Sequence, residues 1–426
     1  MPNLTLILLS LFAYVCSARL ALTTNGKLRL PLFAFVNVAG FAGLTLLTRY
    51  DEWLPNTIAS LGFRAVLRHL LLIAGYVAAI AVGYFLLRRL ARSKGILPWL
   101  AFFYPISLLI GFRYLSFLWE PVAERIGLPD WALAATIVGI SYMAFRLSYL
   151  VLEVRNRAVE MPSLSEYLGF AFFLPTMVIG PISPFSFHQS SLNSIAESEI
   201  PVVRGLERIC VGAAKFFFLA NLANQLSYNG IFLDGKPHGL IDLAVAAIFY
   251  YLYLFLNFSG FCDMAIGVAA LIGIRVKENF DNPFAARNVK EFWNRWHITL
   301  SGYVRDVVFT PVSTGLIRRF GVRYANLAIS IAIVAVFLVI GIWHGLATHY
   351  ILFGMAHAVA MIANHYYTIR MKAKLGTVRY KAYNENPYVN AAAMVITFLY
   401  IAASFALFAN SNKMLGLIAR ELIAGS

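Results

Sequence analysis

The sequence predicts an all-α protein that crosses a membrane several times, on the basis of its composition, its apolar blocks and the placement of its charges. Of the 426 residues, 60% are hydrophobic and 13% are charged, whereas a soluble domain carries about 25% charged residues. The mean hydropathy is +0.72. The apolar blocks approach the roughly 20 residues with which a helix crosses a bilayer. The candidate spans are Leu4–Leu22, Leu30–Leu47, Ala65–Leu87, Leu97–Phe112, Trp131–Val151, Val203–Leu226, Leu240–Phe258, Ala325–Trp343, Tyr350–Met371 and Ala391–Phe408.

The basic residues lie in short loops between the apolar blocks. A formal net charge of +15 is also found in nucleic-acid-binding proteins, but this placement indicates no nucleic acid partner. It is the positive-inside pattern, in which loops rich in Lys and Arg face the cytoplasm and meet anionic membrane lipids. The cytoplasmic clusters predicted in this way are Arg88, Arg89, Arg92 and Lys94; Arg318, Arg319 and Arg323; and Arg370, Lys372, Lys374, Arg379 and Lys381.

Neither a linker nor a repeat divides the chain, so we predict a single membrane domain over residues 1–426. The three cysteines, Cys16, Cys210 and Cys262, are far apart and lie in or beside apolar stretches. A thiol in such a place behaves as a small hydrophobic side chain. The spacing predicts neither a disulfide framework nor a metal site.

Two regions depart from the pattern of simple apolar helices. The first, LGFAFFLPTMVIGPISPFSFHQ, contains Pro175, Gly180, Pro181 and Pro184. Proline removes a backbone donor and kinks a helix, and irregular backbone at membrane depth occurs only where protein or a water-filled cavity covers it. We therefore favour a broken or re-entrant element over a kinked helix followed by an ordinary loop.

The second region is FAARNVKEFWNRWHITLSGYVRDVVFTP, in which apolar and aromatic residues recur close to the helical period. Its charged residues make it too polar to span lipid. It predicts amphipathic helices, either at the membrane surface or inside the helical bundle. Considered alone, the pattern favours the surface location.

Ionisable residues inside a membrane are rare and are functional candidates by default. The candidates are His297, His344, His349, His357 and His365, together with Asp242 and Asp263. We expect His349 and His365 to be solvated at the ends of segments, and His357 to pack against a neighbouring backbone. His344 follows an uncharged block and is the strongest functional candidate.

Asn257–Val312 resembles the signature region of the membrane-bound O-acyltransferase family, in the bacterial branch of alginate O-acetyltransferases and teichoic acid D-alanyl transfer proteins. The pieces EFWNRWHITLS, YVRD and GIWHG (residues 341–345) occur in the family's order, and FLPTMVIGPIS resembles an earlier element. The resemblance covers residues 168–408. It implies about eleven membrane helices, with amphipathic and re-entrant helices, around a central tunnel that the signature helices line from the cytoplasmic side.

The resemblance also implies the catalytic residues: His344 is the main catalytic histidine, and His297 is the second. Acyl transfer from a thioester to a hydroxyl needs a base, and a neutral imidazole is suited to that role. We assign His344 as the base. His297 either positions the acceptor or stabilises the oxyanion. Many relatives have Asp where this chain has Asn257, so no carboxylate role is expected there.

Six further signature residues are candidates for the tunnel or for substrate contact. We expect Trp293, Trp296 and Trp343 to pack against tunnel helices rather than to touch substrate. Arg295, Arg305 and Asp306 either meet a donor phosphate at the cytoplasmic mouth or form a buried ion pair, and the sequence favours neither alternative.

The resemblance implies an O-acyltransferase of the bacterial cytoplasmic membrane without a permanently bound cofactor. Its donor would be a cytoplasmic thioester, either acetyl-coenzyme A or a phosphopantetheinyl carrier protein. Its acceptor would be a cell-envelope polysaccharide or a relay partner outside, such as an acyltransferase or esterase-like protein. We favour an acetyl group. The alternatives are D-alanyl transfer toward teichoic acid and, from another class, a transporter with a histidine proton relay, against which the lack of paired broken helices counts.

Overall fold

The structure is a computed structural model that describes residues 4–24, 26–49, 57–115, 139–194, 201–232, 239–411 and 414–416. The described residues form helices joined by turns, with one isolated antiparallel bridge between Phe280 and Trp296. Within these ranges there is no strand. The predicted all-α class is therefore confirmed for this part of the chain.

The helices follow the apolar blocks and the signature region. In chain order they are α1 (Leu4–Thr23), α2 (Arg29–Arg49), α3 (Thr57–Leu90), α4 (Leu97–Arg113), α5 (Ile140–Arg155), α6 (Leu164–Ala171), α7 (Phe185–Ser194), α8 (Val202–Ala213), α9 (Ala220–Gln225), α10 (Tyr228–Ile231), α11 (Leu240–Ile272), α12 (Val289–Arg295), α13 (Ile298–Val304), α14 (Thr310–Phe320), α15 (Ala325–His344), α16 (Thr348–Glu385) and α17 (Pro387–Ala409). Turns of π-helix occupy Ala214–Leu219 and Arg305–Phe309.

Five helices in the described ranges are long and apolar enough to cross a membrane. They are Gly26–Thr45, Leu70–Leu90, Leu240–Ile272, Val322–His344 and Pro387–Ala409, and Leu9–Thr23 and Leu97–Phe112 are shorter apolar helices. The chain is therefore a multi-pass helical membrane protein, and the total of about eleven helices stays a prediction.

Two predicted spans differ from the structure, and a third is only partly described. The apolar block Val203–Leu226 is divided among α8, a π-helical turn and α9. Tyr350–Met371 is the first part of α16 but is not among the five spans. The start of Trp131–Val151, residues 131–138, lies outside the described residues.

The chain forms two compact units. The first comprises Met1–Cys210 and Cys262–Lys277, and the second comprises Val211–Phe261 and Glu278–Ser426. In the first unit, the proline-rich segment is broken, as the sequence predicts: α6 ends at Ala171 and α7 begins at Phe185. The buried guanidinium of Arg146 donates to the carbonyl oxygens of Phe170 and Thr176, each across 2.8 Å. Arg146 thus satisfies carbonyls that the break removes from helical hydrogen bonding.

The two candidate carboxylates beside apolar segments, Asp242 and Asp263, have structural partners. The buried Asp263 pairs with Arg208 across 2.6 Å in the first unit. In the second unit, Asp242 accepts a hydrogen bond from the backbone N–H of Gly239 at the start of α11, across 3.0 Å. A carboxylate at a helix N-terminus satisfies a free donor and complements the helix dipole. Neither residue is needed to explain the candidate site described below.

In the second unit, α15 and α16 pack closely because glycines face backbone at their contact. A Cβ atom on Gly341 would come within 2.7 Å of the carbonyl oxygen of Tyr350, and one on Gly354 would overlap the carbonyl oxygen of Phe337. The signature helices α12 and α13 lie in the same unit, and their residues Phe292 and Leu300 are buried, as is Trp296 in the turn between them. The surface location that the pattern alone favours is therefore wrong.

Candidate active site

His297 lies in a sharp turn between α12 and α13, with backbone angles φ 45° and ψ 51°. This left-handed conformation is uncommon for a residue with a side chain. The backbone N–H of Asp281 donates to the carbonyl of Arg295 across 3.0 Å, and that of Ile298 donates to the carbonyl of Asn279, also across 3.0 Å. These two bonds fix the turn and hold the His297 side chain inside the unit.

The imidazole of His297 is almost completely enclosed, with 4% of the residue exposed. Nδ1 lies 3.2 Å from Oδ1 of Asn279, while Nε2 is buried and has no hydrogen-bond partner among the described residues. His297 lies outside the five candidate spans. Burial, and after it the nearby His344, lower the pKa of His297 to about 3. The ring is therefore neutral at physiological pH.

His344 is the last residue of α15 and is partly buried. Its ring lies edge-on to Phe408 at a centroid distance of 4.8 Å, and Tyr350 is 6.1 Å away. A Cβ atom on the next residue, Gly345, would come within 2.8 Å of the Tyr350 ring. The glycine of the WHG sequence is thus needed for the close approach of Tyr350 to the turn that carries His344.

The structure brings the rings of His297 and His344 close to the same indole. The ring centroid of Trp343 lies 6.2 Å from that of His297 and 4.5 Å from that of His344. Both histidines belong to the second unit. Aromatic rings surround them, since Phe258 packs edge-on against His297 at 4.7 Å. Water has little access to such a site, and a low local dielectric strengthens electrostatic interactions in it.

The other histidines differ in part from the predictions. His357 is fully buried and bonds to two side chains, Trp293 and Ser404, rather than to a backbone group. His349 is also buried, with Nδ1 3.1 Å from the carbonyl oxygen of Leu407, so the prediction of a solvated His349 is wrong. The apolar ends of α16 and α17 cover it. His365 is half-buried, and its Nε2 lies 3.1 Å from Oδ1 of Asn326.

The charged signature residues have different surroundings. Arg295 donates to Glu291 and to the carbonyl oxygen of Asp281, each across 3.1 Å, and so forms an ion pair. Burial raises the pKa of Glu291, but hydrogen bonds from Arg287 and Arg295 outweigh burial and lower it. Arg305 has 64% of its side chain exposed, with Nε 3.4 Å from Asp306. An ion pair as exposed as this one contributes little to stability.

A cavity of about 380 Å³ lies between α12–α13 and the α15–α16 pair. Its polar lining includes Lys290 and Arg305, and a stripe on α15 supplies most of its apolar lining. The residues that line it are Lys290, Trp293, Asn294, Ser301, Val304, Arg305, Phe309, Ile329, Ile333, Val336, Phe337, Ile340, Met361, Asn364, His365 and Thr368. Trp293 and Arg305 are therefore at the cavity, whereas His297 and His344 are not among its lining residues.

Trp296 packs among Tyr251, Phe292 and Phe405 and has a structural role. Sequence analysis missed two residues, Asn279 beside His297 and Lys290 at the cavity. Asn279 is fully buried, and only the pairing of its segment with the turn at His297 reveals it. In the described ranges, no three His, Cys, Asp or Glu side chains lie together as metal ligands would.

The fold and the site define a class: a multi-pass helical membrane protein that holds two imidazoles around one indole. Residues 30–406 match the model of MBOAT, the membrane-bound O-acyltransferase family. The chain belongs to this family and is a membrane O-acyltransferase. The transporter alternative is therefore set aside.

Relatives with different acceptors resemble the chain. It is 33% identical over 289 residues to the teichoic acid D-alanyltransferase of Streptococcus thermophilus, covering 64% of this chain and 68% of that protein. It is 28% identical over 380 residues to the probable alginate O-acetylase AlgI of Pseudomonas aeruginosa, covering 87% of this chain and 63% of that protein. It is 27% identical over 384 residues to the peptidoglycan O-acetyltransferase of Helicobacter pylori, covering 79% of this chain and 69% of that protein. The chain thus spans about two thirds of the length of these relatives.

Proposed function

We propose that this enzyme transfers an acetyl group from a cytoplasmic thioester to a hydroxyl of a cell-envelope polysaccharide, or to a relay partner outside the bacterial cytoplasmic membrane. His344 is the general base that takes the proton of the attacking hydroxyl and passes it to the thiolate released when the thioester bond breaks, so that the donor leaves as a free thiol. His297 is a second group at the reacting atoms. The observation that carries the proposal is that both imidazoles contact the indole of Trp343. The acceptors named for the relatives are also envelope polymers.

The cavity provides the donor's route in this proposal. Lys290 and Arg305 at its lining are suited to a phosphate or pyrophosphate of the donor, since both are cations and Arg305 is exposed. The apolar residues Ile329, Ile333, Val336 and Ile340 form a stripe along α15 that ends one turn before His344. From Ile329 to His344 the helix rises about 22 Å, at roughly 1.5 Å per residue. If the pantetheine chain of the donor binds along this stripe, its thioester lies toward His344.

The orientation follows from the charges beside α15. The helix begins just after Arg318, Arg319 and Arg323, and the positive-inside rule assigns that end to the cytoplasm. A helix of 20 residues is about 30 Å long, close to the thickness of the hydrocarbon core. His344 at its other end would thus lie toward the outer leaflet, where an external acceptor can reach it.

The choice of acetyl rests on the charge of the cavity. Its lining contains Lys290 and Arg305 but no Asp or Glu. A D-alanyl group carries an ammonium, which would have to pass these two cations on its way to His344 and would be repelled by them, whereas an acetyl group is neutral. D-alanyl transfer from a carrier protein is the second candidate, because the 33% identity to a D-alanyltransferase exceeds the 28% and 27% of the two O-acetyl enzymes.

The test replaces His344 with Ala in cells that depend on this enzyme for envelope acylation. Loss of a general base lowers the rate by roughly 10²–10⁴-fold, so base-labile esters should fall to the level of a deletion strain while the protein stays in the membrane. Val339→Ala is the control, since Val339 lies on the same helix, is exposed and does not line the cavity. Mass analysis of the groups released by mild base decides between acetate and D-alanine. Ester content retained in the His344→Ala strain would overturn the catalytic assignment.

A further inference from the structure

The side-chain oxygen of Asn279, Oδ1, lies within hydrogen-bond distance of three groups. Oδ1 accepts from the backbone N–H of Thr299 across 3.2 Å and from Oγ1 of Thr299 across 2.7 Å. Nδ1 of His297 lies 3.2 Å from the same atom. Asn279 is completely buried.

These contacts decide the protonation of both nitrogens of His297. A backbone N–H can only donate, so the Asn279 atom that it meets is the carbonyl oxygen and not the amide nitrogen. Nδ1 of His297 must therefore carry the hydrogen in order to bond to that oxygen. A neutral imidazole has one N–H, which leaves Nε2 with a lone pair. This is the buried nitrogen that has no hydrogen-bond partner among the described residues.

We propose that Asn279 is a positioning residue that holds neutral His297 as its Nδ1–H tautomer, so that Nε2 accepts a hydrogen bond from a hydroxyl of the acyl acceptor. The inference rests on the proposed function. It selects between the two roles open to His297, because an unprotonated Nε2 cannot donate a hydrogen bond to the oxyanion. The hydroxyl that reacts gives its proton to His344, so the partner of Nε2 is a neighbouring hydroxyl. The acceptor would therefore be a molecule with adjacent hydroxyls, as in a sugar.

The simpler interpretation is that Asn279 only caps α13, since it accepts a hydrogen bond from the backbone N–H of Thr299 in the first helical turn. Asn279→Asp separates the two interpretations. A carboxylate still accepts from Thr299 and His297, so the cap and the tautomer are kept. Its negative charge, however, stabilises protonated His297 and raises the pKa of that ring.

The tautomer is measured first, and without any substrate. The full-length protein is labelled with ¹⁵N-histidine, and the ring signals of His297 are those that disappear in His297→Gln. We expect a proton on Nδ1 and none on Nε2. A proton on Nε2 would overturn the proposal. This result does not depend on the acyl donor, so it stands even if the proposed acetyl transfer is wrong.

The role of Nε2 is then measured as the ratio of the Asn279→Asp rate to the wild-type rate between pH 7 and pH 4, because a carboxylate beside His297 raises its pKa from about 3 by roughly 1–3 units. The assay uses membrane vesicles, acetyl-coenzyme A and envelope polysaccharide from the producing strain. His344, the titratable group that acts on His297, is present in both proteins and largely cancels in the ratio. Protonated His297 cannot accept a hydrogen bond, so the ratio should fall as the pH falls.

Each other outcome contradicts the proposal. A ratio that rises as the pH falls would indicate that His297 donates to the oxyanion, and a flat ratio would indicate a cap only. Asn279→Ala should lower the rate at every pH, by about the 10–100-fold that is lost when the partner of a metal-bound histidine is removed. Thr299→Val is the control, because it removes one bond to the same oxygen but leaves His297 in contact with Asn279.

Discussion

The indole Nε1 of Trp293 donates a hydrogen bond to Nδ1 of His357 across 3.2 Å. Because an indole nitrogen can only donate, Nδ1 is the acceptor and Nε2 of His357 carries the hydrogen. That hydrogen meets Oγ of Ser404 at 3.1 Å, and Ser404 donates in turn to the carbonyl oxygen of Ile401 across 2.8 Å. Both nitrogens of His357 are thus occupied. His357 joins α12, α16 and α17, and it has no nitrogen left for chemistry.

Trp293→Phe should therefore destabilise the protein. It leaves Nδ1 of His357 buried without a donor, at a cost of about 1–3 kcal/mol. The measurement is thermal unfolding in detergent. Trp296→Phe is the matched control, since it also replaces an indole with a smaller phenyl ring in the same aromatic cluster but leaves the partners of His357 unchanged. Equal stability of the two variants would mean that the bond to His357 contributes nothing.

The neutral state of His297 predicts how stability depends on pH. Its pKa is about 3 in the folded protein, against an ordinary value of 6.5. Below pH 6.5 the unfolded chain binds a proton that the folded protein does not bind, so the free energy of unfolding falls as the pH falls toward 3. The slope for this one group approaches about 1.4 kcal/mol per pH unit.

This slope is measured by denaturant unfolding in detergent at several pH values between 7 and 4, for the wild type and for His297→Gln. The other titrating groups are common to both proteins. The variant should lose less stability on acidification, because it lacks the buried imidazole. Parallel curves for the two proteins would show that His297 is already protonated, or accessible, in the folded state.

Gly354→Ala tests the close packing of α15 against α16. Its new methyl group would overlap the carbonyl oxygen of Phe337, which is backbone and cannot rotate away. Overpacking of this kind costs typically 1–3 kcal/mol or more, and separating the helices would also displace His344. We expect lower thermal stability together with lower acyl transfer.

Gly315→Ala, on α14, is the control for that substitution, because a Cβ atom there meets nothing within 4 Å. Alanine is favoured over glycine inside a helix by up to about 1 kcal/mol. The control should thus be as stable as the wild type or slightly more so. If Gly354→Ala behaved in the same way, the approach of the two helices would not need a glycine.

Val336→Phe tests the cavity as the donor's route. The larger ring would occupy part of the 380 Å³ space between α15 and α12–α13. We expect a several-fold rise in the KM for the thioester donor, with little change in the amount of folded protein. Ile331→Phe on the same helix is the control, since Ile331 is exposed. An unchanged KM in Val336→Phe would mean that the donor does not use this cavity.

Much of the fold and part of the site could be predicted from the sequence, for identifiable reasons. The span Ala325–Trp343 matches α15 to within one residue, because an uncharged block of membrane length has few alternatives to a helix. The candidate catalytic histidines, His297 and His344, were predicted from the order of the RWHITLS and GIWHG sequences along the chain. The burial of His349 was missed, since periodicity gives no information on which neighbouring helix will cover the end of a segment.

The sequence by itself determined that this is a helical membrane protein and where its proline-rich segment breaks, because hydropathy and proline act locally along the chain. The order of the motifs in turn identified His297 and His344 as the candidate catalytic histidines. Only the tertiary structure decided that Arg295 is an ion-pair residue while Arg305 lines a cavity. It also placed Trp343 against both His297 and His344, and Asn279 beside Nδ1 of His297. These relationships join residues from separate segments, and packing of the helices creates them.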